Sequence, residues 1–459
     1  MDNLPQEIIN RIAPFLERYP EQHGVAIIQQ QSRRASELPA YATISKQWKE
    51  AVEYLTFRQL KIRSDDLEQL EALVINSRRR YLKRLSYTIL LREFPKEKCR
   101  QTESQDERES NNEAYTQGII NLFNILTQWD AAGLLSGLRL KIEDPECPNN
   151  GPESKRRWES SYLTLSGTDG IPTVSGVTYL NVKGNYRRMT SPAVAPALAA
   201  LLPDLKQLYA EFVEYGEQAV QIRNRAEFAK LLERAKLSHV SSAKFDFHQE
   251  PHEDHGVSSP SVLPSGALYD PFSASLRVFS QHLTSFTLSG YVDSTLFWPS
   301  DHETCSTPSW PSLKRLNIFF NAAAPSGDWY YVGTPGDNEE QFLEHGNTKT
   351  LGPFLTSFAK AVKKMPVLEY FMLECEIGYE YGFWEISYYA PGVKADWDDV
   401  DQNVVDVRRL YYSVGEVWRP DDFVAEVLRS LGQERHGSEL IERFLEPRTW
   451  AHRSPWSWL

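Results

Sequence analysis

The chain has 459 residues, 41% hydrophobic, 12% aromatic and 24% charged, the proportions of an ordered globular protein and not of a disordered one. With 50 Lys and Arg against 62 Asp and Glu its formal charge is -12, which repels nucleic acid and anionic membrane on average and argues against both as partners. One compact core does not accommodate this length, so a small module joined to a larger one is expected. Cys99, Cys147, Cys305 and Cys375 lie far apart with no Cys-x-x-Cys or Cys/His spacing, which argues against a structural zinc site and a disulfide framework and fits a reducing compartment. The opening residues lack the basic flank and apolar core of a signal peptide, and no run approaches the roughly 18 apolar residues of a membrane span. The cytoplasm or nucleus is the expected location.

The first element is a predicted amphipathic helix entered through Leu4-Pro5, since proline is tolerated in a first turn. Leu4, Ile8, Ile12 and Phe15 share one stripe, while Glu7 and Arg11 lie on another face. A second such helix is expected between Leu38 and Leu60, with Tyr41, Ile44, Trp48 and Val52 on its stripe and Lys46, Lys49, Glu50 and Glu53 largely off it. Neither helix is a domain alone, so both need something apolar to sit against.

The ordered set Leu4-Pro5-Gln6-Glu7-Ile8, then Ser45-Lys46-Gln47-Trp48, then Thr56-Phe57-Arg58, resembles the F-box. The run Tyr41-Ala42-Thr43-Ile44-Ser45-Lys46-Gln47-Trp48 is similar to the F-box of a large fungal family with long irregular C-terminal regions. That resemblance implies a substrate-recognition subunit of an SCF-type E3 ubiquitin ligase, which holds partners and performs no bond chemistry itself. It implies contact with a Skp-family adaptor, and through it a cullin, on Leu4, Pro5, Ile8, Ile12, Ile44, Trp48 and Val52, some of which pack the module internally. The connection from Glu17 to Glu37, with Gln29-Gln30-Gln31, is longer than usual for that family. The alternative is an interaction scaffold, not linked to ubiquitination, whose helices only cap its first repeat.

Beyond Leu60 a pattern of apolar-x-x-apolar-x-apolar returns. It occurs at Leu82-Leu85-Tyr87, Leu135-Leu138-Leu140, Val177-Leu180-Val182, Leu205-Leu208-Ala210, Val240-Ala243-Phe245, Leu283-Phe286-Leu288, Leu313-Leu316-Ile318, Leu368-Phe371-Leu373 and Val407-Leu410-Tyr412. Its last two apolar positions are alternate, inward-facing residues of a short strand, and one such unit buries too little to stand alone. Asn185 and Asn321 occupy the place a leucine-rich repeat gives to asparagine. Helices are expected over Glu113–Trp129, Ala193–Leu202, Arg225–Leu237 and Leu351–Met365, each ahead of a strand, which predicts a parallel sheet with helices on one side. Further helices are expected over Pro420–Leu431 and Gly437–Leu445, with Trp450, Trp456 and Trp458 behind them.

The expected fold class is therefore α/β: an N-terminal helical F-box module over 1–62, an irregular leucine-rich-repeat-like β/α solenoid over 63–446 and a Trp-rich tail over 447–459. Lys96–Asn112, Pro145–Glu159, Gln249–Ser265 and Ala324–Thr350 read as mobile surface insertions, and Arg78-Arg79-Arg80 as a solvated helix end.

No G-x-S-x-G elbow, Gly-rich phosphate loop or dinucleotide fingerprint is present, so no catalytic residue and no cofactor is assigned. His248, Glu250, His252, Asp254 and His255 are metal-capable, yet Pro251 opposes the helix that would align two imidazoles. Asp396, Asp398, Asp399 and Asp401 lack the glycine and glutamate of an EF-hand loop. No metal ligand is assigned. Asp328-Trp329-Tyr330-Tyr331 and Tyr379–Tyr389, with Phe383, Trp384, Tyr388 and Tyr389, read equally as interface aromatics for an unknown protein target or as a hairpin buried against the sheet.

Overall fold

The computed structural model describes residues 5–16, 38–147, 155–158, 160–184, 188–214, 216–248, 254–304, 306–334, 343–378, 382–394, 406–415 and 418–446. Leu4, the long helix connection, Asn185, Cys305, the 396–401 acidic run and the Trp-rich tail lie outside them.

The chain opens with α1 (Gln6–Leu16), α2 (Leu38–Tyr41) and α3 (Lys46–Arg58). The second predicted helix is thus split. Ser45 takes extended backbone and its hydroxyl accepts a hydrogen bond from the Trp48 amide at 3.3 Å, which starts α3 afresh. Ser45→Ala should cost α3 about 1 kcal/mol, read as faster amide exchange in its first turn. Unchanged exchange there would show that the cap contributes nothing.

Helix α3 runs directly into β1 (Gln59–Arg63), so the boundary expected at residue 62 falls inside a strand of the main sheet. The strands that follow are β2 (Arg84–Thr88), β3 (Leu138–Ile142), β4 (Val177–Lys183), β5 (Gln207–Val213), β6 (Ser242–His248), β7 (Ser285–Gly290) and β8 (Arg315–Phe320). A separate antiparallel ribbon pairs β9 (Tyr331–Val332) with β10 (His345–Gly346). The last four strands are β11 (Tyr370–Gly378), β12 (Gly382–Tyr389), β13 (Arg408–Ser413) and β14 (Leu440–Leu445).

All but the ribbon form one 12-stranded sheet whose spatial order follows the chain. Strands β1 to β8 and β11 are parallel, in keeping with the repeated apolar pattern, every copy of which supplies a strand. The sheet departs from a purely parallel arrangement at its C-terminal end. There β12 runs antiparallel to both neighbours, and β14 returns parallel to β13.

Between strands lie α4 (Leu67–Leu73), α5 (Ser77–Tyr81), α6 (Gln105–Ala131), α7 (Lys155–Trp158), α8 (Val194–Ala199), α9 (Gln218–Arg234), α10 (Pro271–Ser280) and α11 (Leu351–Val362). Helices α12 (Asp422–Ser430) and α13 (Gln433–His436) follow β13. Alternate strand residues such as Leu140, Leu180, Leu208, Phe245, Leu288, Ile318 and Leu373 are buried in one continuous core that includes the apolar faces of these helices. Aromatic rings join the two layers: Phe228 of α9 meets Phe245 at 5.4 Å, Phe272 of α10 meets Phe247 at 4.9 Å, and Phe358 of α11 meets Phe371 at 4.9 Å.

Several sequence expectations are corrected. Residues 105–112 are the first turns of α6, because Ser104 and Glu107 form a reciprocal capping box that compensates for their polarity. The 437–445 segment is not helical. Gly437 (φ +86) ends α13, and β14 then pairs with β13, where Phe444 stacks on Tyr412 at 4.6 Å. The other expected insertions are partly interior: Arg157, Trp158, Val262, Tyr330, Tyr331 and Leu343 are all buried. Gly327 (φ +91) is required where two of these segments meet, since a Cβ there would lie 2.2 Å from the Ser259 carbonyl oxygen. Arg78 and Arg79 act as struts instead of solvated ends; Arg78 pairs with Glu53 at 2.7 Å, and Arg79 lies over the Trp129 ring.

Candidate protein-binding surfaces

Ile9, Ala13, Trp48 and Ala51 form a small core of their own, with Tyr41 and Leu55 against it, separate from the core of the sheet. Helix α1 therefore buries the Ile9–Ala13 stripe against α3, and the stripe one residue over is left outward. Ile8, Ile12 and Ile44 are 39%, 38% and 41% exposed. A helical surface covered by a partner at these residues gains on the order of 1–2 kcal/mol per side chain.

Pro5 is exposed, and its carbonyl accepts the Ile8 and Ile9 amides at 3.0 and 3.2 Å. Trp48 and Val52 turn inward, at 5% and 4% exposure, so these two of the proposed contact residues pack the unit instead of its surface. The unit is fastened to the sheet side by the Arg78–Glu53 ion pair, by the Arg78 guanidinium 4.6 Å above Phe57, and by edge-to-face Tyr54 and Tyr81 rings.

The second surface is the sheet face opposite the helices. Strand register places side by side residues that the sequence holds far apart. One row reads Gln59, Arg84, Arg139, Tyr179, Gln207 across β1 to β5, and the next reads Lys61, Ser86, Lys141, Asn181, Tyr209. A third row carries Lys183, Glu211 and Asp246.

Charge along this face is uneven. Lys183 pairs with Glu211 at 3.1 Å and Lys141 with Glu143 at 3.0 Å, but among the described residues Lys61 and Arg84, both exposed, have no ionic partner. The Arg139 guanidinium lies 4.0 Å over the Tyr179 ring, which meets Tyr209 edge on at 5.1 Å. Burial holds the Asp246 carboxyl above its ordinary range. At the far end the same face is closed: Glu385, Ser387 and Arg409 are all buried, with the Ser387 hydroxyl donating to Glu385 at 2.6 Å.

A cleft of about 510 Å³ opens beside the ribbon, lined by His255, Asp328, Trp329, Tyr331, Leu343 and Lys349 among others. His255 is buried there with Nδ1 accepting the Leu343 amide at 3.1 Å and its ring edge on to Trp329. Among the described residues the aromatics expected at an interface are largely interior; Tyr330, Tyr331, Phe383, Trp384, Tyr388 and Tyr389 are buried and Trp329 is half-exposed, while Tyr379 and Tyr381 lie outside the described residues. The physical reason is that β12 is covered on both faces, so both sets of its side chains become core.

No three His, Cys, Asp or Glu side chains converge on a point that would hold a metal among the described residues; Glu250 and His252 lie outside them. Burial pushes the Cys147 thiol up to about 11 and the Cys375 thiol higher still, so both stay protonated at neutral pH and are poor nucleophiles. No described helix is long and apolar enough to cross a membrane.

No protein-family model matches the chain, and no curated protein matches its sequence. The functional reading rests on the two surfaces. The resemblance to the F-box named Ile8, Ile12 and Ile44 of the first surface together with Pro5, Trp48, Val52 and Leu4, of which Trp48 and Val52 are buried and Leu4 lies outside the described residues. Sequence reasoning missed the second, because Lys61, Arg84 and Arg139 become neighbours only through strand register.

Proposed function

We propose that this chain is the substrate-recognition subunit of an SCF-type E3 ubiquitin ligase. In this reading α1 to α3 are an F-box that docks a Skp-family adaptor, and through it a cullin. The sheet with its helices is an irregular leucine-rich-repeat-like solenoid that holds a protein target. The protein works in the cytoplasm or nucleus and carries no catalytic residue.

The observation that supports this most is the outward Ile8, Ile12 and Ile44 on a helical unit whose own core is four residues deep. An apolar stripe left in water on so small a unit favours a covering partner. The buried Trp48 and Val52 favour the second reading, a scaffold whose first helices only cap the sheet.

Binding of a purified Skp-family adaptor separates the two. The parent chain should capture it, and Ile8→Asp with Ile12→Asp should weaken capture at least tenfold, about 1.4 kcal/mol, while circular dichroism is unchanged. Equal capture by parent and variant would remove these residues from the contact, and no capture by the parent would leave the scaffold.

A further inference from the structure

The sheet face away from the helices carries an excess of unpaired positive charge at its N-terminal end, in a chain whose formal charge is -12. Arg84 and Arg139 are neighbours on β2 and β3, and Lys61 projects from β1 one row along. None of the three has an ionic partner among the described residues, and all are exposed. Neighbouring strands lie about 4.8 Å apart, so β1 to β4 offer roughly 14 Å, the length of about four extended residues.

We propose that this patch binds an acidic peptide segment of the target, with carboxylates at alternate positions meeting Lys61, Arg84 and Arg139. The inference rests on the reading of the sheet as the target-holding part of the chain and names the chemistry of what it holds. Arginine gives a carboxylate two parallel hydrogen bonds, and Arg139 is already oriented by its seat on Tyr179. The Tyr179 and Tyr209 rings, set edge to face, stand beside it. Glu211 and Asp246 bound the patch on the third row. A continuous phosphate backbone would run onto those carboxylates, whereas a short acidic segment ends before them.

The test uses the purified full chain and a fluorescein-labelled eight-residue peptide of alternating Glu and Gly, read by fluorescence anisotropy. A Gln/Gly peptide and a labelled oligothymidylate of twelve nucleotides serve as comparisons. The Glu peptide should bind, the Gln peptide should bind at least tenfold more weakly, and raised salt should weaken the first. Arg84→Glu with Arg139→Glu should reduce binding at least tenfold, and Arg84→Lys with Arg139→Lys should restore part of it. Lys61→Glu, alone and exposed on the edge strand, should give a smaller loss in the same direction. Equal binding of both peptides, full binding by the double Glu variant, or tighter binding of the oligonucleotide would overturn the inference. Ile8→Asp with Ile12→Asp should leave peptide binding intact. Loss of peptide recognition with adaptor capture retained therefore counts against the acidic segment alone, and the reverse counts against the ligase reading alone.

Discussion

Arg188→Ala should lower the stability of the protein by about 3–5 kcal/mol, the range for breaking a buried ion pair by removing one partner. Arg188 and Glu103 are both wholly buried, with Nη2 at 3.1 and 3.2 Å from the two carboxylate oxygens. Nη1 donates to the Ser161 carbonyl at 2.6 Å, and the guanidinium lies 4.4 Å over the Trp158 ring. Glu103 is further held by Asn111 at 2.6 Å and by the Ser161 hydroxyl. Burial pulls Arg188 down to about 10, still well charged at neutral pH. Alanine removes that cation and leaves the buried Glu103 carboxylate with the Asn111 amide and the Ser161 hydroxyl as its side-chain hydrogen-bond donors.

Because the cost lies in a stranded charge, a second substitution should recover part of it. Adding Glu103→Gln to an Arg188→Met background removes that charge, so the double variant should be more stable than Arg188→Met alone. Urea unfolding followed by circular dichroism measures all of these. A loss under about 1 kcal/mol for Arg188→Ala, far below the usual cost of breaking such a pair, or a double variant no better than the single, would show that the pair does not hold this region together.

How much of the fold was legible beforehand differs by element, for identifiable reasons. The parallel strands were readable because Leu-x-Leu alternation is local and survives any tertiary context. Strand β12 has no alternation to read, since all eight of its positions are buried. In β14 the Leu440, Ile441, Phe444 and Leu445 spacing imitates a helical stripe, and only the open edge of β13 decides for a strand. On α1 the Ile8–Ile12 and Ile9–Ala13 stripes lie side by side, and spacing cannot choose between them. The small Ala13 chooses, because it lets α1 approach α3 closely. The Arg188–Glu103 pair is separated by 85 residues and the basic patch is spread over three strands, so neither has any local signature.

Asp293→Asn should gain stability relative to the parent as pH rises from acid to neutral, on top of a constant cost at all pH for the amide group that replaces the oxygen accepting from the Asp270 amide. Asp293 sits behind Asp270, whose carboxylate caps α10 at the Phe272 and Ser273 amides and pairs with Arg225 at 2.9 Å. Among the described residues Asp293 has no cation of its own within bonding distance; Thr295 donates to it from amide and hydroxyl, and the Asp270 amide does so at 3.3 Å. Burial first, and the Asp270 charge second, push Asp293 up to about 6 from an ordinary value of 3.8. Because the folded value is the higher one, the folded state holds this proton more tightly than the unfolded chain. The stabilisation is complete only well below 3.8, where both states are protonated at this group, and is lost as pH rises through about 6. Holding the proton that much more tightly is equivalent to about 3 kcal/mol. Asparagine keeps an oxygen for the Thr295 amide and never ionises, so the stability difference between variant and parent should grow by most of that amount from about pH 4 to about pH 7.5. Working with the difference cancels the contributions of the other carboxylates, which are present in both proteins. If urea midpoints of variant and parent run parallel across that window, Asp293 carries no destabilising buried charge.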